Sequence, residues 1–370
     1  MSADARKSRN CSTKRHLPLN GFADRVIAWQ KAYGRHDLPW QQARDAYRVW
    51  LSEIMLQQTQ VATVIPYYDR FVERFADVRA LAAAPLEAVM SSWAGLGYYS
   101  RARNLHRCAQ TVVAEHGAEF PRSTELLAQL PGIGRSTAAA IAALAFGERA
   151  AILDGNVKRV LARHFGVEGY PGNPIVKRVL WQHAEDLLPP DDLASYTQGL
   201  MDLGATVCTR SRPKCGACPI NVSCRALRER TIDVLPTPRP AKQPRVRLAT
   251  VLVIHDAVGA VLLELRPPSG IWGGLLSLPE FEAHTSADAI VAATITRYGL
   301  RISMGEALGD IRHEFTHYTY VMQPRLAQVI GTAGVASASL RRVSEAELES
   351  APLPAPIRRL LLQLAQPVLV

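Results

Sequence analysis

Cys208, Cys215, Cys218 and Cys224 stand at the spacing C-x6-C-x2-C-x5-C, which constrains the chain more than any other feature. Four thiolates on one short loop can enclose a single metal centre, and sulfur-rich shells suit iron–sulfur clusters or zinc. Structural zinc sites usually hold their ligands as two close pairs separated by a longer stretch. Here only Cys215 and Cys218 form such a pair, with single cysteines on either side. The spacing therefore favours a [4Fe–4S] cluster over zinc. Disulfides are the weaker alternative, because nothing in the chain reads as secreted.

With 370 residues the chain can build two or three domains with real cores. No run is apolar enough to span a membrane. The N-terminus carries Arg6, Lys7, Arg9, Lys14 and Arg15 without an apolar core, so it is no secretory signal; residues 1–20 read as a disordered basic tail, with a transit peptide as the alternative. The net charge of +10 makes nucleic acid the leading partner, ahead of acidic lipid.

From about Phe22 to Arg230 the sequence reads as successive helices, rich in alanine and leucine. The stretch PTPRPAKQP, Pro236 to Pro244, carries four prolines in nine positions and predicts a stiff linker over about 231–245. Beyond it the period changes. Leu248 to His255 and Gly259 to Leu265 read as strands around a turn at Asp256–Gly259. Ser286 to Tyr298 reads as helix, Tyr318 to Val321 as strand, and Ala355 to Leu364 as helix. The expected fold is a mainly α-helical body with a cluster loop, then a smaller α/β module over 246–370.

Tyr47 to Val61 predicts a helix that is apolar on opposite sides, hence largely buried. Glu53, Gln57 and Gln60 share a polar flank. A carboxylate at the lip of an apolar pocket has its pKa raised by desolvation, which suits a general acid; taken alone, the helix favours a Glu held by a buried salt bridge or on a solvated flank. Further on, Leu130-Pro131-Gly132-Ile133-Gly134 precedes a helix over Arg135 to Phe146. Paired glycines allow a tight turn, and the free N–H groups that follow suit a phosphate. Asp154, in Leu153-Asp154-Gly155-Asn156, reads either as a helix N-cap or as a second catalytic carboxylate.

Together these stretches resemble the MutY family of adenine DNA glycosylases, in the helix–hairpin–helix superfamily. The resemblance rests on HDLPWQ (His36 to Gln41), VWLSEIMLQQTQV (Val49 to Val61), WAGLGYYSRARNL (Trp93 to Leu105), LPGIGRSTAAAI (Leu130 to Ile141), LDGNVKRVLAR (Leu153 to Arg163) and the cysteine loop. It covers most of residues 22–230. In the C-terminal module it extends to WGGLLSLPEF (Trp272 to Phe281) and HEFTHY (His313 to Tyr318).

The resemblance implies a six-helix barrel over about 38–150 with the hairpin at 130–146, and a cluster domain from about 21–37 and 151–230. It implies a monomeric enzyme that removes adenine mispaired with 8-oxoguanine or guanine in duplex DNA, in the cytoplasm beside the nucleoid if the source is bacterial. Glu53 matches the acid that protonates adenine, and Asp154 the carboxylate that stabilises the sugar cation; two carboxylates in unlike settings divide the labour as in glycoside hydrolysis. Trp40, Gln41 and Gln198 match the adenine pocket. Gln57, Thr59, Leu96 and Tyr98 match residues that enter the duplex, and Gly132, Gly134 and Ser136 belong to the hairpin that grips phosphate. Arg101, Arg103 and Arg107 read as phosphate contacts. Ser136 stands where strand-cleaving relatives carry a lysine nucleophile, which implies base removal without strand cleavage.

The module over 246–370 resembles a Nudix fold. Gly274 and Glu280 fit the start of that motif, but Asp288-Ala289 and Ala292-Ala293 replace its later acidic pairs, so a magnesium-dependent hydrolase site is not expected. Phe315, Thr316 and His317 match the turn that senses 8-oxoguanine; a plain strand-end turn is the alternative. Two other readings stay open: a pyrimidine-damage glycosylase with lyase activity, and a non-catalytic iron–sulfur protein that binds DNA.

Overall fold

A computed structural model describes residues 21–42, 45–240, 245–268, 270–315, 318–333 and 340–365. The basic tail at 1–20, Thr316 and His317 lie outside the described residues. Two compact units divide the chain. One joins the residues up to Asp37 with Ala138–Arg239; the other joins Leu38–Thr137 with Pro240–Val370.

In the first unit the helices Phe22–Tyr33, Gly155–Phe165, Pro174–Asp186 and Leu193–Asp202 pack around Val26, Leu161, Leu180 and Leu200. The helix Gly155–Phe165 begins at Asp154 and ends at Gly166, which adopts a left-handed φ of 64°. That left-handed φ is what favours glycine here; a Cβ would also lie 2.7 Å from Cδ of Arg225. After Asp202 the backbone widens into a π-helical turn, Leu203–Val207, closed by the Cys208 N–H on the Leu203 carbonyl at 2.7 Å. Such turns are frequent where a helix must aim a functional residue. The proline-rich stretch starts anchored: Arg163 donates to the Leu235 carbonyl at 2.8 Å, and Gly169 N–H to the Thr237 hydroxyl at 3.0 Å.

The second unit holds the helices Ala46–Met55, Val61–Arg74, Val78–Ala83, Leu86–Trp93 and Ser100–Glu115. Trp50, Leu51, Met55, Phe71 and Trp93 are fully buried at its centre. Each buried Leu, Met or Phe contributes about 1.5–3 kcal/mol. The sequence predicts one helix from Tyr47 to Val61, and here the structure corrects it. The helix ends at Met55, and Gln58 takes a left-handed φ of 58° in the turn before Val61. Gln57, Thr59 and Gln60 therefore belong to a turn, not to the flank of the Glu53 helix.

The C-terminal residues of this unit form, among the described residues, an eight-stranded sheet. Its centre is a parallel pair, Arg245–His255 beside Tyr318–Thr332, in register from Arg245 opposite Tyr318 to His255 opposite Gln328. The helix Ala287–Tyr298, N-capped by the Ser286 hydroxyl, packs Ile290 and Tyr298 against Leu252, Ile254 and Phe281. Alternating side chains on the half-buried strand Leu300–Ala307 give the expected period of two at its start.

Candidate active site and DNA interface

The end of the Glu53 helix is set by Arg101. Its guanidinium donates to the carbonyls of Ile54 (2.9 Å), Met55 (2.7 Å) and Gln57 (2.6 Å), to those of Leu96 (3.3 Å) and Gly97 (3.2 Å), and to the Thr59 hydroxyl (3.1 Å). A helix C-terminus leaves its last carbonyls unpaired, and one planar cation satisfies several at once. Burial lowers the Arg101 pKa to about 10, so it stays charged at neutral pH. Arg101 is 7% exposed, so it is not the phosphate contact that its basic neighbourhood suggests. Leu96 is also buried, at 5% exposure, and its carbonyl meets the clamp. Glu53 sits half-buried between Ser52 and Ile54, immediately before the first clamped carbonyl.

Tyr98 behaves differently. It is 46% exposed, and its φ of 49° is left-handed, directly after Gly97 at 76° and three residues after Gly95 at 103°. A bulky residue held there carries strain that the surrounding structure must hold in place. The Arg101 guanidinium lies 5.4 Å from its ring centroid and supports it from below. An exposed, rigidly presented aromatic ring is suited to stacking on a base.

The hairpin turns as its sequence implies. Gly132 has a φ of 81°, and a Cβ there would meet Cβ of Asn104 at 2.7 Å. Leu130 and Ile133 anchor the turn in the core. A Cβ at Gly134 would meet nothing within 4 Å, leaving room before the helix Arg135–Phe146. Ser136, half-buried, lies in the first turn of that helix.

In the first unit Asp154 is the N-cap and a candidate catalytic group at once. Its Oδ1 accepts the Val157 N–H at 2.7 Å and its Oδ2 accepts from the Asn156 amide at 3.3 Å. Burial raises its pKa; the backbone bonds and the charges of Arg159 and Lys158 oppose that rise. Arg159 donates to Asn156 Oδ1 (2.8 Å) and to the carbonyls of Gly204 and Cys208 (2.7 Å each), so the cap helix is tied to the cysteine loop. Arg163, one turn on, holds the Thr209 and Arg210 carbonyls at 2.7 and 3.0 Å.

All four cysteines of the loop are free thiols lining one cavity of about 30 Å³, with Val160, Leu203, Val207, Ile220, Leu227 and Ile232 among its apolar walls. Burial raises the pKa of Cys215 and Cys224, and of Cys218 to about 11; neighbouring cysteines add to each rise. Thiols so disposed ionise when a cationic group binds. Among the described residues no three His, Cys, Asp or Glu side chains converge on a single ion. The loop also exposes Arg210, Arg212 and Lys214.

Trp40 is buried edge-on against Tyr68, with centroids 5.3 Å apart. Beside it Gln41 Oε1 is buried without a partner, an acceptor available to a ligand donor. Gln198, in the first unit, donates to Asp202 Oδ1 at 2.9 Å. Asp202 is 0% exposed and also binds Arg35 through Nε (2.7 Å) and N–H (2.9 Å). Sequence reasoning missed this pair, since the two residues lie far apart along the chain.

In the C-terminal module the strand Ile311–Glu314 turns through Phe315 into Tyr318–Thr332, closed by the Phe315 N–H on the Tyr318 carbonyl at 2.9 Å. Phe315 and Tyr318 stack at 4.8 Å, and His313 meets Phe315 edge-on at 4.6 Å. These rings and Trp272 share a cavity of about 580 Å³ with Tyr98 and Arg103. Arg103 donates through Nη1 to the Gly273 carbonyl. Trp272 and His313 were not singled out in the sequence for their own roles; the Trp-Gly-Gly string was the available signal.

Residues 51–186 match the HhH-GPD superfamily of base excision DNA repair proteins, and residues 250–363 match the NUDIX domain. The fold and site thus define a helix–hairpin–helix base excision DNA repair protein with a Nudix-type module. The adenine DNA glycosylase of Buchnera aphidicola subsp. Baizongia pistaciae (strain Bp) is 34% identical over 303 residues, 82% of this chain and 85% of that protein. The adenine DNA glycosylase of Homo sapiens is 36% identical over 363 aligned residues, 82% of this chain and 66% of that one. A solved structure of a thermostable thymine-DNA glycosylase superposes with a TM-score of 0.51 at 31% identity, over 56% of this chain and 95% of that one. This chain belongs to the adenine DNA glycosylase family.

Proposed function

We propose that the chain excises adenine opposite 8-oxoguanine or guanine in duplex DNA, as a monomeric, monofunctional glycosylase. The observation that carries this is the difference in setting between two carboxylates. Glu53 rides on a helix whose other faces are buried, and Asp154 is fixed by two hydrogen bonds at a helix N-cap. The adenine must leave the stack to be reached. Trp40 offers an aromatic wall, and the orphaned Gln41 Oε1 can accept from the exocyclic amine of adenine. Gln198, oriented by Asp202, supplies a further polar edge.

Glu53 gives a proton to N7 of the flipped base, and the bond from N9 to the sugar breaks with its electrons leaving on the base. The Asp154 carboxylate stabilises the cationic sugar that remains. Water then adds to the sugar and loses its proton to Glu53. Ser136 offers no amine to open the ring, so an intact abasic strand is the product. Tyr98, Gln57 and Thr59 present themselves to the duplex, and the Gly132–Gly134 turn and the exposed Arg210, Arg212 and Lys214 meet phosphate. Cys208, Cys215, Cys218 and Cys224 would hold a [4Fe–4S] cluster, which when bound cross-links the loop that displays those cations. Phe315, with Thr316 and His317, reads the base opposite adenine.

The test is a single-turnover assay on duplexes with adenine opposite 8-oxoguanine, guanine, cytosine or thymine, with and without alkali. Excision confined to the first two, with strand breaks only after alkali, is expected. Breaks without alkali, or release of a damaged pyrimidine in place of adenine, contradict it.

A further inference from the structure

In the C-terminal module Glu280, the carboxylate at the start of the Nudix-like motif, is engaged on both oxygens. Its Oε2 accepts the Tyr320 hydroxyl at 2.7 Å and Arg266 Nη1 at 2.9 Å, and its Oε1 pairs with Arg247. Two guanidinium groups outweigh its single negative charge, which leaves nothing to attract a divalent cation. What the network does instead is fix Tyr320. That ring is 1% exposed, and its hydroxyl has a single strong acceptor.

Tyr320 in turn backs Trp272, with centroids 5.6 Å apart. Trp272 has a left-handed φ of 52°, a strained conformation that a bulky residue keeps only where its surroundings impose it. Trp272 also meets His313 at 5.7 Å and Phe315 at 5.8 Å. The next residue, Gly273, is held through its carbonyl by Arg103. The wall of the 580 Å³ cavity is thus braced from two directions.

We propose that Glu280 is a positioning residue for recognition of the base opposite adenine, acting through Tyr320 and Trp272 on Phe315. The proposal rests on the reading that Phe315 belongs to the sensing turn. The two purines to be told apart differ by one carbonyl oxygen and one N–H. Discrimination then depends on a few hydrogen bonds, which require the sensing groups to be held within about 0.5 Å. A strut that loosens the turn lowers discrimination, since neither Glu53 nor Asp154 is part of this network.

The experiment uses the full-length, iron-loaded protein and measures single-turnover rates on A:8-oxoguanine and A:guanine duplexes. The variants are Phe315→Ala, Tyr320→Phe, Glu280→Gln, and Phe315→Ala with Tyr320→Phe. Tyr320→Phe removes one oxygen and keeps the packed ring, so it decides the matter even if Glu280→Gln does not fold. It should lower the ratio of the two rates about fivefold, equivalent to about 1 kcal/mol. Combined with Phe315→Ala it should add nothing to the loss that Phe315→Ala gives alone. A Phe315→Ala ratio equal to wild type overturns the sensing-turn reading. A ratio lowered by Phe315→Ala but untouched by Tyr320→Phe, with or without a lower melting temperature, overturns the positioning role alone.

Discussion

Asp154 accepts the backbone N–H of Val157 at 2.7 Å, so the carboxylate assigned to the sugar cation also starts the helix that grips the cysteine loop. The two roles separate in Asp154→Asn. Asparagine caps a helix as well as aspartate, so the melting temperature should hardly move. Loss of charge beside the cation should slow base release by more than about tenfold, or 1.4 kcal/mol. A smaller loss at full stability would leave Asp154 as a cap only.

The acid limb of the rate profile follows from the same residue. Burial raises the Asp154 pKa above its ordinary 3.8, while its hydrogen bonds and the Arg159 and Lys158 charges hold that rise back. Stabilising a cation needs the ionised form, so activity is full above the folded pKa and lost as pH falls through it. Lys158→Gln removes one opposing charge and should move this limb to higher pH. A limb that stays in place, measured by single-turnover rates from pH 4 upward, would detach it from Asp154.

Arg101 should be a stability residue. Arg101→Lys keeps the charge but cannot satisfy the carbonyls of Ile54, Met55, Gln57, Leu96 and Gly97 together. A loss of about 2–4 kcal/mol in urea unfolding is expected. The exposed Arg107, bonded only to Asn104 among its described partners, should change stability by less than about 0.5 kcal/mol when replaced by alanine.

Metal analysis tests the cysteine loop. Protein purified without oxygen should be brown and carry about four irons per chain. Arg163→Gln, which frees the Leu235, Thr209 and Arg210 carbonyls, should lower that content without touching a cysteine. A colourless protein with stoichiometric zinc would contradict the cluster.

Features coded by neighbours were legible in the sequence. The helix Arg135–Phe146 follows from glycine punctuation and an alanine-rich run, and the helix after Ser286 from its cap. Features coded by distant partners were not. The stop at Met55 is caused by Arg101, 46 residues away, and nothing local to Tyr47–Val61 announces it. Arg101 itself reads as one more basic residue in Arg101-Ala102-Arg103. Asp202 is a mid-helix acid until Arg35, 167 residues away, is found beside it. The proline stretch suggests a clean cut between domains, yet the residues after it belong to the same compact unit as Leu38–Thr137. The four cysteines and the hairpin glycines needed no distant partner to be seen.

The central claim is that Glu53 is the proton donor for adenine release, and Glu53→Gln addresses it directly. Glutamine keeps the size and the place on the helix Ala46–Met55 but carries no acidic proton. On an A:8-oxoguanine duplex under single-turnover conditions, the variant should bind as wild type does and release no measurable adenine. Release at a near wild-type rate, with binding intact, would contradict the account.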